Sequence, residues 1–231
     1  MASLLTVLST GLLFHFAFMI ITDGFHKTPV NAVVPAILAG AFFLIASLGL
    51  YGAFQRGPVR LVAPIVASFP ILSVLWAAFT GANVTLMDWL AVIVILCGVT
   101  IVAYMSDQSE DDNSPKGITI FFAAIASLGY ASTFALGQMA AEMSHHLPAT
   151  LITRSTAIIL LICGIVVCKL PLWPGRKSLG ILTLMGLADG VALLCMISAA
   201  GLPKAEHAAV AASIFGLITI VLAWGFLKEK M

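Results

Sequence analysis

Charge is what this sequence has least of. Only 9% of its 231 residues are Asp, Glu, Lys or Arg, where a soluble domain carries about 25%. Hydrophobic residues make up 61%, with a mean hydropathy of +1.11. A water-soluble fold of this length cannot hide so much apolar surface, so the chain reads as an integral membrane protein. The net charge of +1 and the lack of any long basic or acidic block give no hint of a nucleic-acid partner, and none is expected. Cysteine is scarce too. Cys97, Cys163, Cys168 and Cys195 each fall inside an apolar run. The five-residue step from Cys163 to Cys168 is neither a CxxC nor a zinc spacing. They are expected to be small core residues, and no metal or cofactor is expected. Also missing are a nucleophile elbow, an HExxH, a P-loop and a GxGxxG in its proper setting, so no enzyme is expected. The first segment has neither a basic n-region nor an AxA-type site, which makes it a span and not a signal peptide.

Long apolar runs are what the sequence does have. A spanning helix needs about 20 mostly apolar residues. Eight runs qualify: Leu4–Ile21, Ala32–Phe54, Leu61–Thr80, Leu86–Met105, Ile118–Gly137, Ala149–Val167, Leu179–Ala200 and Ala205–Leu227. The expected fold is an all-α, polytopic membrane helix bundle of about eight transmembrane helices in two repeated halves. Residues 1–106 form the first half and 117–231 the second. Residues 107–116, with four acids, Asn, Ser and Pro, make a solvated acidic linker. An even number of spans puts both termini on one side. Loops on that side hold eight of the eleven Lys and Arg residues, among them Arg56, Lys116, Arg176 and Lys230; the other side holds Lys27, Arg154 and Lys204. The positive-inside rule then places both termini in the cytoplasm.

Two stretches resemble one another. In "GPVRLVAPIVASFPILSVLWAAFTG" and "LPKAEHAAVAASIFGLITIVLAWGF", Pro58 meets Pro203, Ala67–Ser68 meets Ala212–Ser213, and Leu72 meets Leu217. Transporters are often built from repeated bundles with the substrate site at the repeat interface. Four spans separate the copies, from which the copies are expected to run in the same direction. On these stretches the chain resembles the EamA branch of the drug/metabolite transporter superfamily, across nearly its whole length. The resemblance implies ten helices in two five-helix halves, with this chain starting at the second helix and stopping before the tenth. Glu229 in "FLKEK" stands where the family tends to close a half with a glutamate, and Arg154 resembles an arginine near the start of a half's second helix. The first half departs from the pattern: Ala82 and Asn83 stand there with no acid. The family register would put residue 1 outside, against the charge count.

Several polar or helix-breaking residues lie inside the apolar runs. Asp189 sits mid-span, flanked by Gly186 and Gly190, a GxxxG pair that admits a close neighbour. It is either a cavity acid or a protonated side chain bonded to backbone. Arg154, about a turn and a half into its span, either snorkels to the interface or faces Asp189 or an anionic substrate. His15 lies deep in the first run, as a packing residue or a ligand. Pro58 and Pro64 fall near a helix start, where proline costs little, whereas Pro70 is expected to kink the third span at mid-membrane. Ser68 and Ser73 are on hand to satisfy the freed carbonyl. Glu206 suits a helix N-terminus, His145 and His146 lack the i, i+4 spacing of a helical metal site, and the four tryptophans suit interfacial anchors.

The resulting expectation is a multi-pass transporter of small metabolites in the inner (plasma) membrane, exporting by alternating access. Its substrate or ion site is drawn from Asp189, Arg154, Ser68, Pro70, Ser73 and His15. Its partners are a small-molecule substrate and the lipid bilayer, with a homodimer possible. The alternatives are an intramembrane enzyme acting on a lipid-linked substrate, and a non-transporting scaffold or fragment.

Overall fold

A computed structural model of the chain describes residues 1–79, 85–107, 116–171, 173–200, 202, 206–212, 214–222 and 225. Among the described residues there is no strand. The helices are α1 (Ala2–Ile21), α2 (Val30–Phe54), α3 (Val59–Val66), α4 (Phe69–Phe79), α5 (Leu86–Asp107), α6 (Lys116–Met143), α7 (His146–Val167), α8 (Leu179–Ser198), α9 (Glu206–Ala212) and α10 (Ile214–Leu222), with one 3₁₀ turn at Arg176–Ser178. Five of them, α1, α2, α6, α7 and α8, are long and apolar enough to cross a membrane. The bilayer offers backbone groups no water, so apolar runs of this length close their hydrogen bonds internally as helix. The acids of the linker from Gln108 to Pro115, and Ala82, Asn83, Trp224 and Glu229, lie outside the described residues.

The third apolar run departs from expectation. It is two helices, α3 and α4, with a turn at Ala67–Ser68 between them. Pro58 caps α3 from outside and Pro64 lies within it. Pro70 is therefore not a mid-helix kink. It is the second residue of α4, where its missing N–H would have had no partner anyway. The turn is closed by Ser68, whose hydroxyl donates to the Ile65 carbonyl at 2.6 Å. Ser73 does not serve the break: its hydroxyl bonds back to the Phe69 carbonyl within α4, at 3.4 Å.

The described residues divide into two compact units. Each draws on both sequence halves, and α2 and α6 contribute to both. The first comprises Met1–Leu44 and Thr133–Pro203. Its α1 buries Leu4, Val7, Leu8, Gly11, His15 and Met19, a stripe at helical spacing, against α7 and α8. Small residues bring the backbones close. A Cβ at Gly186 would fall on the Val7 carbonyl and on Thr10, and a Cβ at Gly40 would fall on the Thr153 carbonyl and on Thr156. Thr153 also donates to the Ala36 carbonyl at 3.2 Å.

The second unit comprises Ile45–Ser132 and Lys204–Met231. Ala53, Val62, Val66, Ala123 and Ala126 form its centre, with Phe122, Tyr130 and Phe215 packed on it. Within it α3 packs on α10, and α4 on α9. Large apolar side chains such as Leu13, Val167 and Leu184 point outward, as membrane helices do where lipid is the solvent. The four cysteines are among the outward-facing residues, contrary to the expectation that they fill the core.

Candidate functional site

The first unit holds a partly buried ion pair. One Nη2–H of Arg154 on α7 donates to Asp189 Oδ2 on α8 at 2.6 Å. The same nitrogen reaches the Asp189 backbone carbonyl at 3.3 Å, and Nη1 reaches the Leu8 carbonyl of α1 at 3.5 Å. The guanidinium carbon lies 5.3 Å from the centre of the Phe43 ring of α2, within cation–π range. Two helix backbones, one carboxylate and one aromatic face thus surround a single cation. Arg154 is fully buried, while the Asp189 side chain keeps 34% of its surface exposed. The pair is therefore open on its carboxylate side.

Why the sequence folds this way can be traced residue by residue. Helix α7 starts at His146, ahead of the expected Ala149, so Arg154 lies two turns in and is too deep to snorkel. Thr150, Thr153, Ala157, Ile158 and Leu161 share its buried face at helical spacing. Gly186 and Gly190 let α1 close on α8 beside Asp189. Gly11 does the rest, because a Cβ there would occupy the position of the Arg154 guanidinium. His15, one turn along α1 from Gly11, is buried, and its Nε2 shares a hydrogen bond of 2.7 Å with the Gly190 carbonyl. A carbonyl only accepts, so Nε2 carries a proton. Among the described residues neither His15 Nδ1 nor Arg154 Nε finds a partner. Removing either charge of such a pair leaves the other stranded, at a cost of about 3–5 kcal/mol.

The structure brings Arg154, Asp189 and His15 together. Ser68, Pro70 and Ser73 belong to the second unit and do not join them. The hydroxyl of Ser68 comes within 3.5 Å of that of Ser127. Gly11 and Phe43 escape the sequence reading. Gly11 had a signal, its i, i+4 step to His15, which puts both on one face of α1. Phe43 had none, since an aromatic residue in an apolar run usually packs against lipid or core.

A second cluster lies at the start of α7. His26, in the connection between α1 and α2, stacks on His145 with ring centres 4.3 Å apart and planes 5° apart. His145 in turn lies 4.1 Å from His146 at 31°. Among the described residues no group of three or more His, Cys, Asp or Glu is arranged to hold a metal ion.

Residues 117–231, which include α7 with Arg154 and α8 with Asp189, match the EamA-like transporter family. No curated protein and no solved structure matches the chain.

Proposed function

We propose that this chain, which over residues 117–231 belongs to the EamA-like transporter family, moves a small metabolite outward across the plasma membrane by alternating access of two inverted repeats. Asp189 is the substrate- or proton-binding acid of that cycle, and Arg154 is its modulator. The observation that carries the reading is the Arg154–Asp189 pair itself, a buried guanidinium and a half-buried carboxylate at mid-span where three helices meet. Ionisable groups inside a membrane are costly and mark substrate or proton pathways.

A recurring contact supports a repeat, in a register one residue longer than that of Pro58 with Pro203. Gly186 lies against the Val7 carbonyl and Thr10, and Gly40 lies against the Thr153 carbonyl and Thr156. Val7 to Thr153, Thr10 to Thr156 and Gly40 to Gly186 are the same interval along the chain. That interval also relates Leu8 to Arg154 and Phe43 to Asp189. Arg154 therefore touches its own counterpart and the counterpart of its partner. A residue in contact with its own counterpart lies on the axis relating the two copies, which is where repeat-built transporters place their sites. In the second unit, the partnering of α3 with α10 and α4 with α9 is likewise reciprocal.

The copies step from the second apolar run to the seventh. Five is an odd number of crossings, so the copies run in opposite directions. Opposed copies, not parallel ones, are therefore proposed.

The test is substrate-induced thermal stabilisation of purified protein against a metabolite library, followed by flux of each hit in proteoliposomes. Saturable flux of at least one hit is expected. Stabilising hits that show no flux would favour the scaffold, and chemical turnover of a hit would favour the intramembrane enzyme.

A further inference from the structure

We infer that His26, His145 and His146 form an acid-sensitive latch that ties the α1–α2 connection to the first turn of α7 at one membrane face.

Two independent contacts tie these segments. The His26 and His145 rings are face to face, 4.3 Å apart and nearly parallel. Gly24, three residues from the end of α1, is buried so closely against the Leu147 side chain that a Cβ there would overlap it. The turn before it is held by Asp23 in the left-handed region, φ 49°. Both connections follow an odd-numbered apolar run, so the topology puts them on the same face.

The chemistry of the stack favours neutral rings. His145 is the N-cap of α7, and its Nδ1 accepts the Leu147 N–H at 3.4 Å. Protonation would remove that acceptor and convert the cap into a donor. It would also set a cation at the positive end of a helix dipole. The added charge would face a parallel imidazole and abut a third. Burial first, and then the His26 charge, hold the His145 imidazole below its ordinary value. The charged residues of the adjoining segments, Asp23 and Lys27 beside His26 and Glu142 before His145, are all exposed to solvent. None of them forms an ion pair with an imidazole among the described residues. Acid therefore drives the three rings apart and frees the connection from α7. Arg154 lies eight residues further along the same helix, about 12 Å at 1.5 Å per residue.

The stack as it stands does not chelate. A metal binds an imidazole nitrogen in the plane of the ring, and two parallel stacked rings direct their lone pairs side by side instead of to one point. The Leu147 amide is a direct reporter, because its acceptor is the titrating nitrogen. Amide exchange of purified full-length protein would be followed at pH 7.5 and pH 5.5 after correction for intrinsic rates. The latch predicts that Leu147 protection falls about tenfold or more at pH 5.5 in the wild type. It also predicts that His145→Asn, which keeps a cap acceptor without titrating, loses most of that pH dependence. His26→Gln leaves the cap and removes the stack, so its Leu147 protection at pH 7.5 should already be reduced. Protection that is unchanged between the two pH values in the wild type overturns the latch. So does a pH response that persists in His145→Asn, or a protection at pH 7.5 that requires added Zn²⁺ and disappears with a chelator. The readout does not depend on transport, so failure of the transporter reading would leave it standing.

Discussion

At the scale of residues, one cation on α7 is held by groups drawn from three other helices, and among the described residues the carboxylate facing it is the one charged group that touches it. Arg154 and Asp189 are each expensive alone and compatible together. Arg154→Ala is expected to destabilise the protein by about 3–5 kcal/mol, and Arg154→Met with Asp189→Leu to recover most of that loss. A double-mutant cycle on melting temperature in detergent reads this directly; additive losses would mean that the pair is not coupled. Gly11→Leu should behave like Arg154→Ala, because its side chain would take the guanidinium's place. The two residues of this pair were visible in the sequence as ionisable groups in apolar runs. Their pairing was not visible, because it depends on which helices are neighbours and on a start of α7 three residues earlier than hydropathy suggested. His26 was invisible for a different reason: its ring partner His145 lies 4.3 Å away in space and more than a hundred residues away in sequence.

At the scale of elements, hydropathy located the helices because apolar backbone in a bilayer has few other solutions. It failed where three prolines offered three places to break. The break fell at Ala67–Ser68, the point at which a serine hydroxyl could close the Ile65 carbonyl at the end of α3. Prolines 64 and 70 then fall inside one helix and at the start of the next. If the turn borders a hydrated path, single cysteines from Val66 to Leu75, in a protein freed of its four native cysteines, should label with a soluble thiol reagent on one face. Uniform protection would make the turn a packing feature only. The two glycine contacts offer a second test. Gly40→Ala and Gly186→Ala each force a backbone apart and should cost about 1–3 kcal/mol. If the two contacts are counterparts, the two losses should be similar, and a large loss at one with none at the other would break the equivalence.

At the scale of the whole molecule, the sequence was enough for the class, a helical membrane protein, and for a family resemblance that residues 117–231 bear out. It was not enough for the assembly, since each compact unit takes helices from both halves. Interleaving of that kind is set by packing partners such as Gly186 with Val7, which no single run announces. The Lys and Arg distribution predicts that reporters fused after Lys116 and after Met231 both read cytoplasmic. A periplasmic reading at the acidic linker would reverse the orientation. The central proposal is that the Asp189 carboxylate binds the transported substrate or ion. Its most direct test is the pH dependence of substrate flux in proteoliposomes carrying wild type or Asp189→Asn, with insertion verified for both. The account predicts that Asp189→Asn, which keeps the shape and much of the hydrogen bonding, loses at least about tenfold in flux and flattens the pH profile. Wild-type flux with a wild-type pH profile in the Asp189→Asn protein would contradict it.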